Sequence, residues 1–522
     1  MPTRPAYRYD DPRHRVIASW TDPVARAATT LLGGPWGRHA EPGRQRWWTP
    51  MRVLFAMATV TLALAWFKQA PCAYNPWQDG SQYTGMCYAD SIPLWGIEGI
   101  SEGAVPYFDM NPILLPGDPN YSFGRVEYPV LTGFFMYVAD KLQDPADAII
   151  SAGLAEGESV NGWAAYYATT CVLLALCFYA LVYFSARTAG RRIWDVAIIA
   201  AAPIVVVYGF TNWDLFAMMF LAAAMFAWSR QLPLLCGVLL GLGTAAKLYP
   251  VLMLGALLVL AVRTGRFRGF ALATVGTVGA WLAVNLPVML GAWAGWKVFL
   301  DLNRERPADY ASLWNVIERL ASDQQQFEFT SGLSTGVLNL LVFVAMALAC
   351  VAIAWLALAA PVRPRVAQLV FLIVAAFLLT NKVWSAQYSI WLLPLAVLAL
   401  PRWRLIVAWQ LVEGAVWVCS SLWFLQRDIS FANERSELSG DDPKLLSGVD
   451  YEWVALFVLI RCALIIAMMA FVVRDILRPQ YDAVRRVGQD DPSGGEFDTA
   501  PDRFTLRRGR DRELDPDPQP IA

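Results

Sequence analysis

The stretch LLGLGTAAKLYPVLMLGALLVL, residues 239–260, is apolar from end to end except for one lysine, and a proline follows three places later. Both are costly inside a buried helix. An ammonium at the bilayer centre costs about 2.5–3.5 kcal/mol or more, and a proline removes a helix hydrogen bond and crowds the preceding turn. The two make sense together if one membrane segment ends at Lys247 and the next begins at Pro250. The charge then sits at a membrane rim.

Apolar runs of this kind recur along the chain, each long enough to cross a hydrocarbon core of ~30 Å. Over 522 residues the sequence is 57% hydrophobic and 16% charged, where an ordinary soluble domain carries about 25% charged residues. It reads as an all-α polytopic membrane protein. Spans are expected at about residues 52–67, 162–185, 194–210, 213–229, 232–248, 250–263, 268–296, 335–360, 365–380, 388–401, 404–425 and 453–473, or about twelve helices. Residues 1–50 form a basic arm with eight Arg against four acids, residues 51–475 the helical bundle, and residues 476–522 a polar tail. From about Val487 the tail has the low hydrophobicity of a disordered segment. Within the arm, VIASWTDPVARAATTLLGG fits either a helix lying on the membrane surface or a solvated segment. The first apolar run starts too deep to be a secretory signal and lacks a small-residue cleavage site, so it reads as an anchor.

Basic connectors favour the cytoplasm. The clusters SARTAGRR, WSR, RTGRFR, PVRPR, PRWR and RDILR all fall on the side of the Arg-rich N-terminus if residues 128–142 do not cross. If that segment crosses, all six move to the other side. The first choice is the consistent one. It makes 128–142 a juxtamembrane or re-entrant helix, puts both termini in the cytoplasm, and gathers the larger polar loops and the KLYP turn outside.

Both histidines, His14 and His39, lie in the arm, so the membrane body offers no His-based metal or proton-relay chemistry. No metal, cofactor or nucleic-acid partner is expected. Cys72 and Cys87 flank a polar stretch and are expected to pair if that loop is outside the cytoplasm, where disulfides persist. The outer loops carry Asp90, Glu98, Glu102, Asp109 and Glu127. Each fits a solvated loop carboxylate. Asp90 stands apart because Tyr88, Ile92, Leu94 and Trp95 surround it, and an apolar setting raises a carboxyl pKa into the range useful for a general base. On the same side lie Lys247, Arg304, Arg306 and Lys382, which fit either interfacial snorkelling or a phosphate pocket facing outward. Asn212, Asp214 and Gln387 either complete that pocket or satisfy local backbone.

The order of these motifs is familiar. Asp90 follows the first span. Then come Gly-x-x-Pro-Tyr (Gly103–Tyr107), Tyr-Pro-x-Leu (Tyr128–Leu131), Lys-x-Tyr-Pro (Lys247–Pro250), and Ser-x-Gln-Tyr before Trp-Leu-Leu-Pro (Ser385–Pro394). The pattern resembles the GT-C superfamily of membrane glycosyltransferases and, within it, glycosyltransferase family 87, over about residues 50–475. The resemblance implies a polyprenyl-phosphate sugar donor, usually mannose with arabinose as an alternative, and an acceptor in cell-envelope glycolipid or polysaccharide. It implies inverting transfer at the extracytoplasmic face of the cell membrane, without metal. Asp90 takes the place of the family's base and Lys247 that of a phosphate ligand. Arg304, Arg306 and Lys382 are expected to help, and Asp109, Glu127, Tyr128, Asn212, Asp214, Tyr249, Gln387 and Tyr388 to line the pocket. Two departures stand out. The Cys72–Cys87 stretch lengthens the gap before Asp90, and Val130 replaces the second proline of the usual Tyr-Pro-Pro.

A lipid phosphate is a good leaving group and needs only positive charge where it departs. A single displacement needs one base, whereas retention would need a second carboxylate ~5 Å away. The rival class is a transporter or flippase of lipid-linked sugars, which would hold its polar groups near the membrane midplane. Here they cluster at one rim.

Overall fold

The computed structural model describes residues 49–74, 80–109, 126–151, 162–321, 333–434, 448–487 and 490–506. The basic arm with its surface-helix alternative lies outside the described residues, as does the tail from residue 507. Among the described residues every regular element is a helix.

Among the described residues six helices are long and apolar enough to cross a membrane: Pro50–Tyr74, Gly162–Ala200, Phe267–Gly291, Thr335–Ala359, Trp403–Ile429 and Tyr451–Leu477. This makes the chain a multi-pass membrane protein. Five of the other expected spans are shorter apolar helices, Asp214–Ser229, Pro233–Ala246, Tyr249–Thr264, Val366–Thr380 and Ala386–Ala399. The sixth, residues 194–210, is broken into Ala197–Ala200 and Pro203–Tyr208, with the Pro203 ring at the first turn of the second piece. The count of about twelve spans is therefore not established. Hydropathy alone does not separate helices facing lipid from helices buried in protein, and these two groups differ sharply. Thr335–Ala359 buries only four of 25 residues and leaves Phe343 and Val351 exposed. Val366–Thr380 buries twelve of 15. At 1.5 Å per residue a 15-residue helix reaches ~22 Å, short of the hydrocarbon thickness. Its ends meet other protein groups instead of lipid, as backbone at membrane depth requires. Of the segment 128–142, all but Tyr128 and Pro129 fall in a helix, Val130–Ser151, that is not among the six long apolar ones.

The short helices set the geometry of the molecule, because four of them run between the same two places. At one end Trp228 Nε1 donates to Gly494 O (2.9 Å), Arg263 pairs with Asp502 (2.6 Å), and Arg365 pairs with Asp482 (2.8 Å). Arg365 also donates to Leu398 O and Ala399 O. At the other end the same helices supply Asp214, Tyr249, the residues after Thr380, and Gln387. The fifth helix, Pro233–Ala246, delivers Lys247 there. Its Gly237 and Gly241 lie so close to Phe267–Gly291 that an added Cβ would sit 2.0 Å from Ala273 O and 2.4 Å from Thr277 O. This small-xxx-small contact fixes where Lys247 emerges.

The tail differs from its expectation. Residues 490–506 do not behave as their composition predicts: they lie across the ends of the short helices. Asp491 Oδ2 accepts from Val366 N (2.8 Å) and Ser493 Oγ from Ala367 N (3.3 Å), capping a helix start. Arg363 pairs with Asp490 at 2.7 Å and donates to Ala500 O. Burial alone would raise the Asp482 carboxyl, but the Arg365 guanidinium overrides it and holds the group below the usual carboxylate range. The tail is held by buried arginines on the bundle and by its own Phe497, which is buried against Trp228 with ring centroids 5.1 Å apart.

Candidate active site

The opening question, what keeps a lysine in an apolar run, has a local answer. The chain leaves the helix Pro233–Ala246 in an extended conformation at Lys247 and re-enters one at Tyr249–Leu252, with Pro250 in its first turn. The ammonium points inward to Asp214, 2.6 Å away, at the start of helix Asp214–Ser229. Rings enclose it: Tyr388 at 4.8 Å, Trp391 at 5.7 Å and Tyr128 at 5.9 Å to their centroids. Such cation–π contacts favour a partly desolvated ammonium. Trp391 Nε1 donates to the same Asp214 oxygen at 2.6 Å, and Tyr249 and Tyr388 stack on the Trp391 indole at 4.2 and 4.3 Å. Lys247 is 8% exposed, and what remains open faces a cavity.

Asn212 joins this pair to Asp90. Its Oδ1 accepts from Lys247 Nζ (3.3 Å) and from Trp213 N (2.6 Å), which fixes which end of the carboxamide is which. Its Nδ2 then donates to Asp90 Oδ2 (2.7 Å) and to Tyr128 OH (2.8 Å). Gln387 Nε2 donates to the same Asp90 oxygen at 3.1 Å, and Asp90 N donates to Thr211 O at 2.9 Å. Asp90 and Lys247 are thus one carboxamide apart. Burial raises the Asp90 carboxyl above its ordinary value; hydrogen bonds from Asn212 and Tyr88 and the charge of Lys247 oppose that shift.

Above this floor opens a cavity of about 600 Å³. Of the residues expected to form a site, it brings together Asp90, Glu127, Tyr128, Lys247, Tyr249, Arg306, Gln387 and Tyr388, with Asn212 and Asp214 bonded directly beneath. Three expected residues lie elsewhere. Lys382 Nζ donates to Arg304 O (3.1 Å) and Arg306 O (2.6 Å), closing the C-terminal end of helix Trp293–Glu305, and burial followed by the Arg306 charge lowers its pKa. Arg304 is exposed and does not line the cavity. Asp109 is exposed and accepts from Val105 N at 2.9 Å, a local turn bond. The Cys72–Cys87 pair forms a disulfide with Cα atoms 5.6 Å apart.

Two further carboxylates stand at the cavity, Asp309, which the sequence does not single out, and Glu98, one of the outer-loop acids. Asp309 lines the cavity 4.0 Å from Arg306, its carboxyl raised by burial against that positive charge. Its loop is held from below by Arg461, which is buried, donates to Ala311 O, lies 3.8 Å over the Trp384 ring and faces Glu413 at 3.8 Å. Glu98 is buried behind the wall, where its Oε1 accepts from Glu127 N (3.1 Å), and burial pushes its carboxyl well above the usual range. In sequence, Asp309 was one loop acid among others, and only the arginine three residues before it hinted at a role.

Among the described residues, three carboxylates (Asp90, Glu127, Asp309) and two cations (Lys247, Arg306) line the cavity. The arrangement puts a carboxylate, Asp90, in one ring-lined cavity with two cations, Lys247 and Arg306. The model of glycosyltransferase family 87 matches residues 148–383, a span that holds Asn212, Asp214, Lys247, Arg306 and Asp309 but neither Asp90 nor Gln387. No curated protein matches the chain. Over residues 148–383 the chain is thus similar to glycosyltransferase family 87, and it carries this similarity within a multi-pass membrane protein.

Proposed function

We propose that the protein transfers a glycosyl group, mannose foremost, from a polyprenyl-phosphate sugar to a hydroxyl of a cell-envelope glycolipid or polysaccharide. Asp90 takes the acceptor proton as the hydroxyl oxygen attacks the anomeric carbon. The bond from that carbon to the phosphate oxygen breaks, and the configuration inverts. The departing phosphate carries its negative charge to Arg306, whose side chain is about half exposed at 45%, and to Lys247. Lys247 already shares its charge with Asp214, so Arg306 is the freer partner and Lys247 the better positioned one. Interactions that strengthen as charge develops are those that accelerate the step. No acid is needed at the leaving group.

The observation that carries this reading is the chain Asp90–Asn212–Lys247 on the floor of one cavity. Two features support an extracytoplasmic site: the disulfide at the cavity end of the first helix and the arginine clusters at the opposite ends of the short helices. On this reading both termini lie in the cytoplasm and the shorter helices complete the crossings, about twelve in all. The test is transfer of radiolabel from polyprenyl-phosphate mannose to lipid or polysaccharide in proteoliposomes. Transfer by the intact protein and none by Asp90→Asn is expected. Undiminished transfer by the Asn variant would remove Asp90 from the chemistry.

A further inference from the structure

The cavity continues past Asp90 into a lobe of different chemistry. Helix Trp403–Glu434 presents Trp417, Ser420, Ser421 and Phe424 to it, at the i, i+3, i+4, i+7 spacing of a single helix face. Tyr310 closes one side, with its ring 5.0 Å from Phe424. The opposite side belongs to the segment that the Cys72–Cys87 disulfide ties down. Tyr83 stacks on Phe424 at 6.0 Å, and Trp417 Nε1 donates to Met86 O at 2.9 Å. Gly80 fits against the same helix, where an added Cβ would lie 3.2 Å from Leu425. Tyr88, the residue after Cys87, lies on the cavity wall and bonds to Asp90.

We infer that this lobe holds a neutral pyranose ring of the acceptor, and that the disulfide-tied segment shapes it. The inference rests on the glycosyl-transfer reading above. None of the residues lining the lobe is charged, so it does not suit the donor phosphate, which belongs with Lys247 and Arg306. Tyr83, Tyr88, Tyr310, Ser420 and Ser421 all carry hydroxyls, so it does not suit a polyprenyl tail either. A pyranose has faces of C–H groups and a rim of hydroxyls. Aromatic rings cover the first and short polar side chains meet the second, the combination usual in small-ligand sites. A sugar seated there would lie beside Asp90, which must reach the attacking hydroxyl. The disulfide-tied stretch before Asp90 is then a specificity element.

The experiment uses the full chain in nanodiscs, with mannotriose, maltotriose and galactotriose as neutral probes followed by saturation-transfer NMR, and decaprenyl phosphate as the donor-side probe. At least one trisaccharide should bind. Tyr83→Ala and Phe424→Ala should weaken it at least about tenfold, equivalent to ~1.4 kcal/mol. Decaprenyl phosphate affinity should stay within about twofold, equivalent to ~0.4 kcal/mol. Tyr83→Phe, which keeps the stack, should bind the sugar nearly as the parent does. Cys72→Ser with Cys87→Ser should follow Tyr83→Ala, because it frees the segment without touching the ring. The lobe assignment is overturned if no trisaccharide binds the parent, if the alanine variants bind it equally well, or if they lose decaprenyl phosphate instead. A parent that binds trisaccharide but not decaprenyl phosphate overturns the donor reading.

Discussion

The two ends of the bundle are made from similar charged residues and use them in opposite ways. At the tail end each of the arginines Arg263, Arg363 and Arg365 has a carboxylate of the tail within 2.8 Å and backbone carbonyls to take further N–H groups. Most of their N–H groups are taken up in this way, with Arg263 Nε left over. At the cavity end two cations face three lining carboxylates whose pairing is looser, as with Arg306 and Asp309 at 4.0 Å. Burial raises the carboxyls of Asp90, Glu127 and Asp309. Saturated charges hold a structure together, whereas desolvated and incompletely paired charges are available to a substrate.

Substitutions at the two ends should separate activity from stability. Asp90→Asn should lower turnover by about 10²–10⁴, the range for losing a general base, with thermal stability in detergent kept or improved because a buried ionisable group is gone. Asp482→Ala should do the reverse. It removes the carboxylate paired directly with the Arg365 guanidinium, which is 1% exposed. Breaking a buried pair costs about 3–5 kcal/mol, so the unfolding transition should fall sharply while transfer per folded molecule persists. An unchanged transition would mean that the tail is not docked as described.

Smaller effects sharpen the picture at the cavity. Arg306→Gln should weaken donor binding by about tenfold, the low end for a charge-assisted hydrogen bond. Arg304→Ala, one helix end away, should change it by less than about twofold, as exposed charges usually do. Equal losses from both would point to a diffuse electrostatic effect. The pH profile follows from the raised Asp90 carboxyl. The base must be ionised, so the rate should fall on acidification at a pH above that of an ordinary aspartate, ~3.9, and Asp90→Asn should lack that limb.

How much of this could be read from the sequence depended on the kind of signal. Lys247 beside Pro250 in an apolar run marks a turn carrying a charge, and Asp90 among aromatic residues marks a desolvated carboxylate; a helix does end at Lys247, and both side chains bond to Asn212 at one cavity. The four polar residues now at the floor come from positions 90, 212, 247 and 387, so spacing alone gave no measure of their distance. Lys382 had the same sequence signature as Lys247, a cation at the end of an apolar run, but a neighbouring helix end offered it carbonyls instead of a carboxylate. The ordered tail was missed because composition counts only its own hydrophobicity, whereas its partners are arginines more than a hundred residues away. The lobe around Phe424 was legible only as helical spacing in Trp417, Ser420, Ser421 and Phe424, which becomes meaningful once the disulfide-tied segment is seen to face it.

The most direct measurement is a cryo-electron microscopy structure of Asp90→Asn in nanodiscs with polyprenyl-phosphate mannose. The phosphate should lie within hydrogen-bonding reach of Lys247 and Arg306, with the anomeric carbon turned toward residue 90. Density for the sugar phosphate at the arginine-rich tail end, or on a surface outside the cavity, would contradict glycosyl transfer at this site.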